Sequence, residues 1–123
     1  MSAITHIGTV IVPVSDQDAA LDFYVGTLGF EKRLDGAFGD GGRWIEVAPP
    51  AGQTTIALVL SPQTGAAGIE VSLATGDADG DHAELRKAGL EADTEVMRMG
   101  EGVPPMFTFR DPDGNRFRMV ERD

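Results

Sequence analysis

The sequence contains no cysteine, which excludes disulfides, cysteine-ligated zinc and thiol nucleophiles. A reducing compartment is then the simplest expectation, and the chain is read as cytoplasmic. Basic residues are scarce: ten Lys and Arg stand against twenty Asp and Glu, for a formal charge of -10. Nucleic-acid binders need concentrated Lys and Arg to displace counterions, and a surface this acidic repels phosphate backbones and anionic membranes alike. Neither is expected as a partner, whereas a cationic small molecule would be attracted. Long apolar runs are also missing. The opening MSAITHIGTVIVPVSD has no basic leader and reaches Asp16 before such a run accumulates, so neither a signal peptide nor a membrane span is expected. Aromatics are few, with one Trp, one Tyr and six Phe.

What is present fits an α+β fold. At 123 residues the chain can bury a stable interior without covalent staples. THIGTVIVPV alternates and is rich in β-branched residues. RWIEVA, TTIALVL, GIEVSLAT, DTEVMRM, MFTFR and RFRMVE are further short apolar runs between Gly and Pro punctuation, and all read as strands. SDQDAALDFYVGTLGF instead has a Ser15 cap with Asp18 three residues on, then Ala20, Leu21, Tyr24 and Leu28 at helical spacing, ending near Gly29. GDADGDHAELRKAGL repeats the pattern, with Asp77 as cap, Leu85 and Ala88 on the buried side, and Gly89 as the stop.

The order strand, helix, three strands thus occurs twice. An offset of 61 residues aligns the halves: Val10 meets Val71, Val12 meets Leu73, Asp16 meets Asp77, Ile56 meets Phe117 and Leu58 meets Met119. We read residues 1–123 as a single domain of two βαβββ modules, about 4–61 and 68–121, joined through SPQTGAAG. Strand alternation then assigns faces. If the residues just named pack under the helices, then Thr9, Ile11, Thr55, Ala57, Val59, Glu70, Ser72, Arg116, Arg118 and Val120 line the opposite, concave face.

These residues carry a family resemblance. VPVSDQDAALDFYVGTLGF resembles the opening strand and helix signature of the vicinal oxygen chelate superfamily, which includes glyoxalases, bleomycin-resistance proteins, extradiol dioxygenases and fosfomycin-resistance enzymes. FRDPDGNRFRMVE is similar to that family's closing hairpin, with DPDGN acting as a tight turn. The resemblance spans nearly the whole chain. It implies the glyoxalase/bleomycin-resistance fold, in which two βαβββ modules form a shared curved mixed sheet around a central cleft. It also implies a homodimer, since short members complete their clefts in pairs.

In metal-dependent members four ligands, typically His or Gln, then Glu, His and Glu, come from the first and last strands of each module. Carried onto this sequence, those positions fall on Thr9, Ala57, Glu70 and Arg118. Only Glu70 is a metal donor, and Arg118 is a permanent cation. We therefore expect no metal at the shared position and no cofactor; a divalent ion would need non-standard ligands such as Glu46, Glu70 or Glu121. His6 alternates to the opposite face near the strand start, and His82 falls in the second helix as a solvated or packing residue. Because first and last strands lie side by side in this fold, Glu70 and Arg118 are expected to pair.

The remaining lining suits an organic guest. Ile11, Ala57, Val59 and Val120 are apolar, Thr9 and Ser72 carry hydroxyls, and Trp44 with Phe107 or Phe109 is the candidate aromatic wall. Met97, Met99 and Met106 form an adaptable rim, and DGAFGDGGRW is a loop whose four glycines allow motion. The ligand-binding candidates are thus Thr9, Ile11, Trp44, Ala57, Val59, Glu70, Ser72, Phe107, Arg116 and Arg118. The leading reading is a metal-independent protein that sequesters a small organic ligand in the cleft between modules, as in the bleomycin-resistance branch. The alternative is a glyoxalase-like lyase or isomerase, or a dioxygenase, using non-standard metal ligands or, without metal, Glu70 as base and Arg118 as oxyanion partner. A third reading, an interaction module with a vestigial cleft, expects no ligand to stabilise it.

Overall fold

The β-branched and aromatic runs form strands, and the capped stretches between them form helices. The computed structural model describes residues 6–38, 41–61 and 70–122, together with Ala3. The chain divides into two compact units, Met1–Gln63 and Thr64–Asp123. The segment SPQTGAAG, expected to join them, lies outside the described residues beyond Ser61. No described helix is long and apolar enough to cross a membrane.

In the first unit, β1 (Thr9–Val14) leads into α1 (Gln17–Leu21) and a π-helical stretch over Asp22–Thr27, followed by β2 (Glu31–Phe38), β3 (Gly42–Ala48) and β4 (Thr55–Leu60). The sheet order is β1-β4-β3-β2, with β1 parallel to β4 and the other pairings antiparallel. The cap of α1 is Asp16 rather than Ser15, its carboxylate accepting from the Ala19 N–H at 3.0 Å. The helix widens where Leu28 N–H bonds to Phe23 O, five residues back. It stops at Gly29, whose positive φ of 78 suits glycine. Phe23, Tyr24, Val12, Val14, Ile45 and Leu58 fill the core, with the Phe23 and Tyr24 rings edge to face at 5.0 Å.

The expected mobile loop DGAFGDGGRW is instead largely hairpin. Asp35 to Phe38 continue β2, and Gly42 to Trp44 open β3, in direct register. Arg43 holds this hairpin by donating Nε and Nη2 to the two Asp35 oxygens at 2.9 Å each, a fork that pulls the Asp35 carboxyl well below the ordinary range.

In the second unit, β5 (Glu70–Thr75), α2 (Ala78–Lys87), β6 (Met106–Arg110) and β7 (Arg116–Glu121) follow in turn. The order is β5-β7-β6, with β5 parallel and β6 antiparallel to β7. Asp77 caps α2 through the Gly80 N–H, and Leu85 is buried beneath the helix, but Ala88 is exposed at its end. Phe107, Phe109, Phe117 and Met119 form the core under α2, with Phe109 and Phe117 stacked at 5.4 Å.

DTEVMRM does not form the expected continuous strand. Its strand pairing with β6 is reduced to an isolated bridge from Met97 to Met106, with a second from the preceding Ala92 to Phe109. The cause is Asp93. Its backbone N–H donates to Thr108 O, but its carboxylate, not its carbonyl, accepts the Thr108 N–H (2.8 Å) and hydroxyl (2.9 Å). The Asp93 carbonyl is turned to α2, where His82 Nε2 donates to it at 2.7 Å. A side chain thus replaces one rung of the ladder, and the chain leaves the sheet.

The closing DPDGN stretch is a turn, as expected. The buried Asp111 carboxylate accepts from the backbone N–H of Asp113 and Asn115 and from Asn115 Nδ2 at 2.8 to 2.9 Å. Gly114 supplies the positive φ of 84.

Candidate functional site

The parallel strand pairs of the two units share one register. Thr9 lies opposite Thr55 and Ile11 opposite Ala57; moved by 61 residues, Glu70 lies opposite Arg116 and Ser72 opposite Arg118. Alternation puts Phe117 and Met119 under α2, so Arg116 and Arg118 stand on the other face of the sheet. Arg118 Nε donates to Glu70 Oε1, while Arg116 Nη1 approaches Glu70 Oε2 at 3.8 Å. Arg118 also places Nη1 at 3.3 Å from Met106 Sδ. The expected pair is therefore present, with a second guanidinium beside it. The hydrogen bond from Arg118 holds the Glu70 carboxyl below its usual range, against the smaller opposing effect of burial, and Arg118 is raised in turn. A carboxylate kept ionised in this way is a weak general base.

Among the described residues, the equivalent face of the first unit carries no such cations. Trp44 Nε1 donates to Glu46 Oε2 at 2.7 Å, and the Thr55 hydroxyl donates to Glu46 Oε1 at 2.7 Å. Having given its one proton to Glu46, Thr55 accepts from the Thr9 hydroxyl at 2.9 Å. Glu46 is also held below its usual range, first by Trp44 and then by Thr55. Sequence reasoning placed Thr9, Thr55 and Trp44 in the lining and named Glu46 as a non-standard metal ligand, but not as the carboxylate that gathers them. The available signal was Trp44 and Glu46 two apart on one strand, hence on one face.

The other candidates separate by exposure. Ile11 is 60% exposed, and Thr9 and Ser72 are exposed as well. Val59 and Trp44 are half-buried, and Ala57 is fully buried. Phe107 is a correction to the expected lining: it is fully buried beneath α2, its ring 5.1 Å from that of His82, because its place on β6 is in register with Met119 on the core face. Phe109 shares that fate. Met97 and Met99 are exposed.

The four positions at which the family resemblance implies metal ligands do not fit a divalent ion. Ala57 has no donor atom, Thr9 gives its proton to Thr55, Arg118 is a cation, and Glu70 is engaged by that cation. Other carboxylates are dispersed. Glu46 serves Trp44 and Thr55, and Glu121 accepts from the Ala78 N–H at the start of α2. Among the described residues, no group of three or more His, Asp or Glu is placed to share an ion.

Comparison with known proteins adds to this geometry. The profile of the Glyoxalase/Bleomycin resistance protein/Dioxygenase superfamily matches residues 3–119. TnmS3, an antibiotic binding protein from Streptomyces sp. CB03234, is similar over 100% of both chains, with 35% identity and a TM-score of 0.85. A member of the superfamily from Sphaerobacter thermophilus DSM 20745 is 37% identical with a TM-score of 0.86, covering 97% of this chain and 98% of that one. The uncharacterized protein YetH of Bacillus subtilis strain 168 is 33% identical over 123 residues, which is 96% of this chain and 99% of YetH.

Proposed function

This chain belongs to the glyoxalase/bleomycin resistance protein/dioxygenase superfamily, and on that premise we propose that it is a metal-independent binding protein for a small organic molecule, of the sequestration or resistance type. The observation that carries this reading is the Glu70, Arg116 and Arg118 cluster. Charge-assisted donors stand where the family resemblance implies an ion, and they supply directional contacts for polar atoms of a guest without requiring one. The likeness to an antibiotic binding protein along the full chain supports the same reading. A homodimer in the cytoplasm is the setting we propose for it.

The test is a thermal-shift screen of natural-product antibiotics and organic acids, followed by calorimetric titration of each hit. A ligand at 100 times its Kd adds about 2.7 kcal/mol of stability, which raises the unfolding midpoint of a domain this size by roughly 10 °C. Arg118→Ala should weaken a hit by about tenfold or more. Retention of one tightly held divalent ion per chain after chelation and dialysis, measured by plasma mass spectrometry, or turnover of a bound hit, would overturn the proposal.

A further inference from the structure

One cavity of the second unit lies beside the cluster just described and holds an arginine that the sequence did not single out. It measures about 280 Å³ and is bounded by Glu91, Asp93, Thr108, Arg110 and Arg116, among others. Arg110 and Arg116 face each other directly across the antiparallel β6 and β7 pair. Two like charges in direct opposition on one face are unfavourable unless a counter-charge intervenes. Neither guanidinium is satisfied by the fold. Arg110 gives one Nη1 proton to Gly114 O at 2.8 Å, and among the described residues the Arg116 guanidinium has only its long 3.8 Å contact with Glu70, which is bound more closely by Arg118. Most of the planar donor forks of both side chains are therefore uncommitted.

The acids in the wall set the charge of what enters. Asp93 is already engaged through both oxygens by Thr108, and Glu91 is exposed. Together they reduce the positive charge of the wall, so each further negative charge on a guest meets carboxylates as well as guanidinium groups. A flat monoanion with two oxygens matches the guanidinium geometry, whereas a phosphate dianion is disfavoured. The volume falls just below the roughly 300–1,000 Å³ of pockets that enclose a drug-sized ligand, so the cavity suits the head of a molecule whose body extends along the sheet.

We propose that the cavity between Arg110 and Arg116 is a carboxylate subsite, and that the ligand of this protein is an organic monocarboxylate. The proposal deepens the binding function argued above and rests on it for the body of the ligand.

Benzoate, phenyl phosphate and benzamide are the probes, titrated into the isotope-labelled full chain and followed by amide chemical shifts. Benzoate should produce saturable shifts at residues 91–93, 108–110 and 116, phenyl phosphate weaker ones, and benzamide none. Arg116→Gln should weaken benzoate by about tenfold or more. Its side chain is half exposed and lightly bonded, so the fold is expected to persist, which the spectrum of the variant reads directly. Arg110→Lys, which keeps the charge but loses the fork, should give an intermediate loss. Equal shifts from benzamide, tighter binding of phenyl phosphate, or unchanged benzoate affinity in Arg116→Gln would each overturn the subsite. If antibiotics bind in an Arg118-dependent manner while benzoate leaves these amides unmoved, the subsite falls and the binding function stands. Benzoate binding here without any antibiotic hit in the screen leaves the subsite standing and overturns the resistance reading.

Discussion

The two units present the same strand register on their open faces and opposite chemistry. In the first, a carboxylate on β3, Glu46, gathers neutral donors from Trp44 and Thr55, with Thr9 behind them. In the second, the carboxylate has moved to β5, as Glu70, and its partners are guanidinium groups on β7. The exchange can be followed position by position. Glu46 lies opposite Ala57 and Thr108 lies opposite Arg118, and Ala57 and Arg118 are themselves 61 residues apart. The acid of one unit therefore occupies the hydroxyl position of the other. The backbone of a repeat is held by register and core packing, which demand agreement, while an open face leaves its side chains at liberty to diverge.

The contrast depends first on which residues face the helices. Phe107→Ala should destabilise the protein by about 3–5 kcal/mol, the cost of emptying a core site; a loss under about 1 kcal/mol by denaturant titration would return Phe107 to the open face. Glu70→Gln, which leaves Arg116 and Arg118 side by side on one face of β7 without their shared carboxylate, should cost about 1–2 kcal/mol at low salt, and that penalty should shrink in 1 M NaCl, where the Debye length falls to about 3 Å. Glu46→Gln should cost about 1 kcal/mol with no such salt dependence, since its partners are neutral. Equal salt responses in the two variants would erase the distinction between the faces.

Acid should act on both units in the same direction. Both carboxyls are held below the ordinary value of 4.5 in the folded chain. Their contribution is complete above that value and is lost as pH falls through the lower, folded one. Each Gln variant should therefore lose less stability than the parent between pH 5 and pH 3. The single tryptophan bonds directly to Glu46, so its emission should change with a midpoint below 4.5 if the neutral network is intact in solution.

Much of the fold was legible because the determinants are local or periodic. Asp77, Gly29, Gly89 and the DPDGN turn mark boundaries through backbone chemistry that any neighbour would leave intact. The pairing of Glu70 with Arg118 followed from alternation together with the strand adjacency that the family resemblance implies. What escaped was whatever depended on a partner's side chain. β2 is exposed along most of its length and so shows no alternation to read. The strand expected over 93–99 failed because one carboxylate captured a single N–H, an event with no periodic signature. Phe107 was misplaced because the sequence does not specify which of two alternating sets of β6 residues faces α2. Arg110 was passed over because the family resemblance directed attention to strand centres, and this residue stands at a strand end.

The capture made by Asp93 bears on how the chain behaves among its own copies. β6 is the outermost strand of its sheet, and an outermost strand with open N–H and C=O groups is a template on which another chain can extend the sheet. Here the backbone of Met106, Thr108 and Arg110 is taken up by Met97, Asp93 and Glu91, and the irregular spacing of those contacts offers no straight edge to copy. The detour that interrupts the strand thus also seals it, with the Asp93 carboxylate completing a cover that the Met97 and Glu91 backbones share.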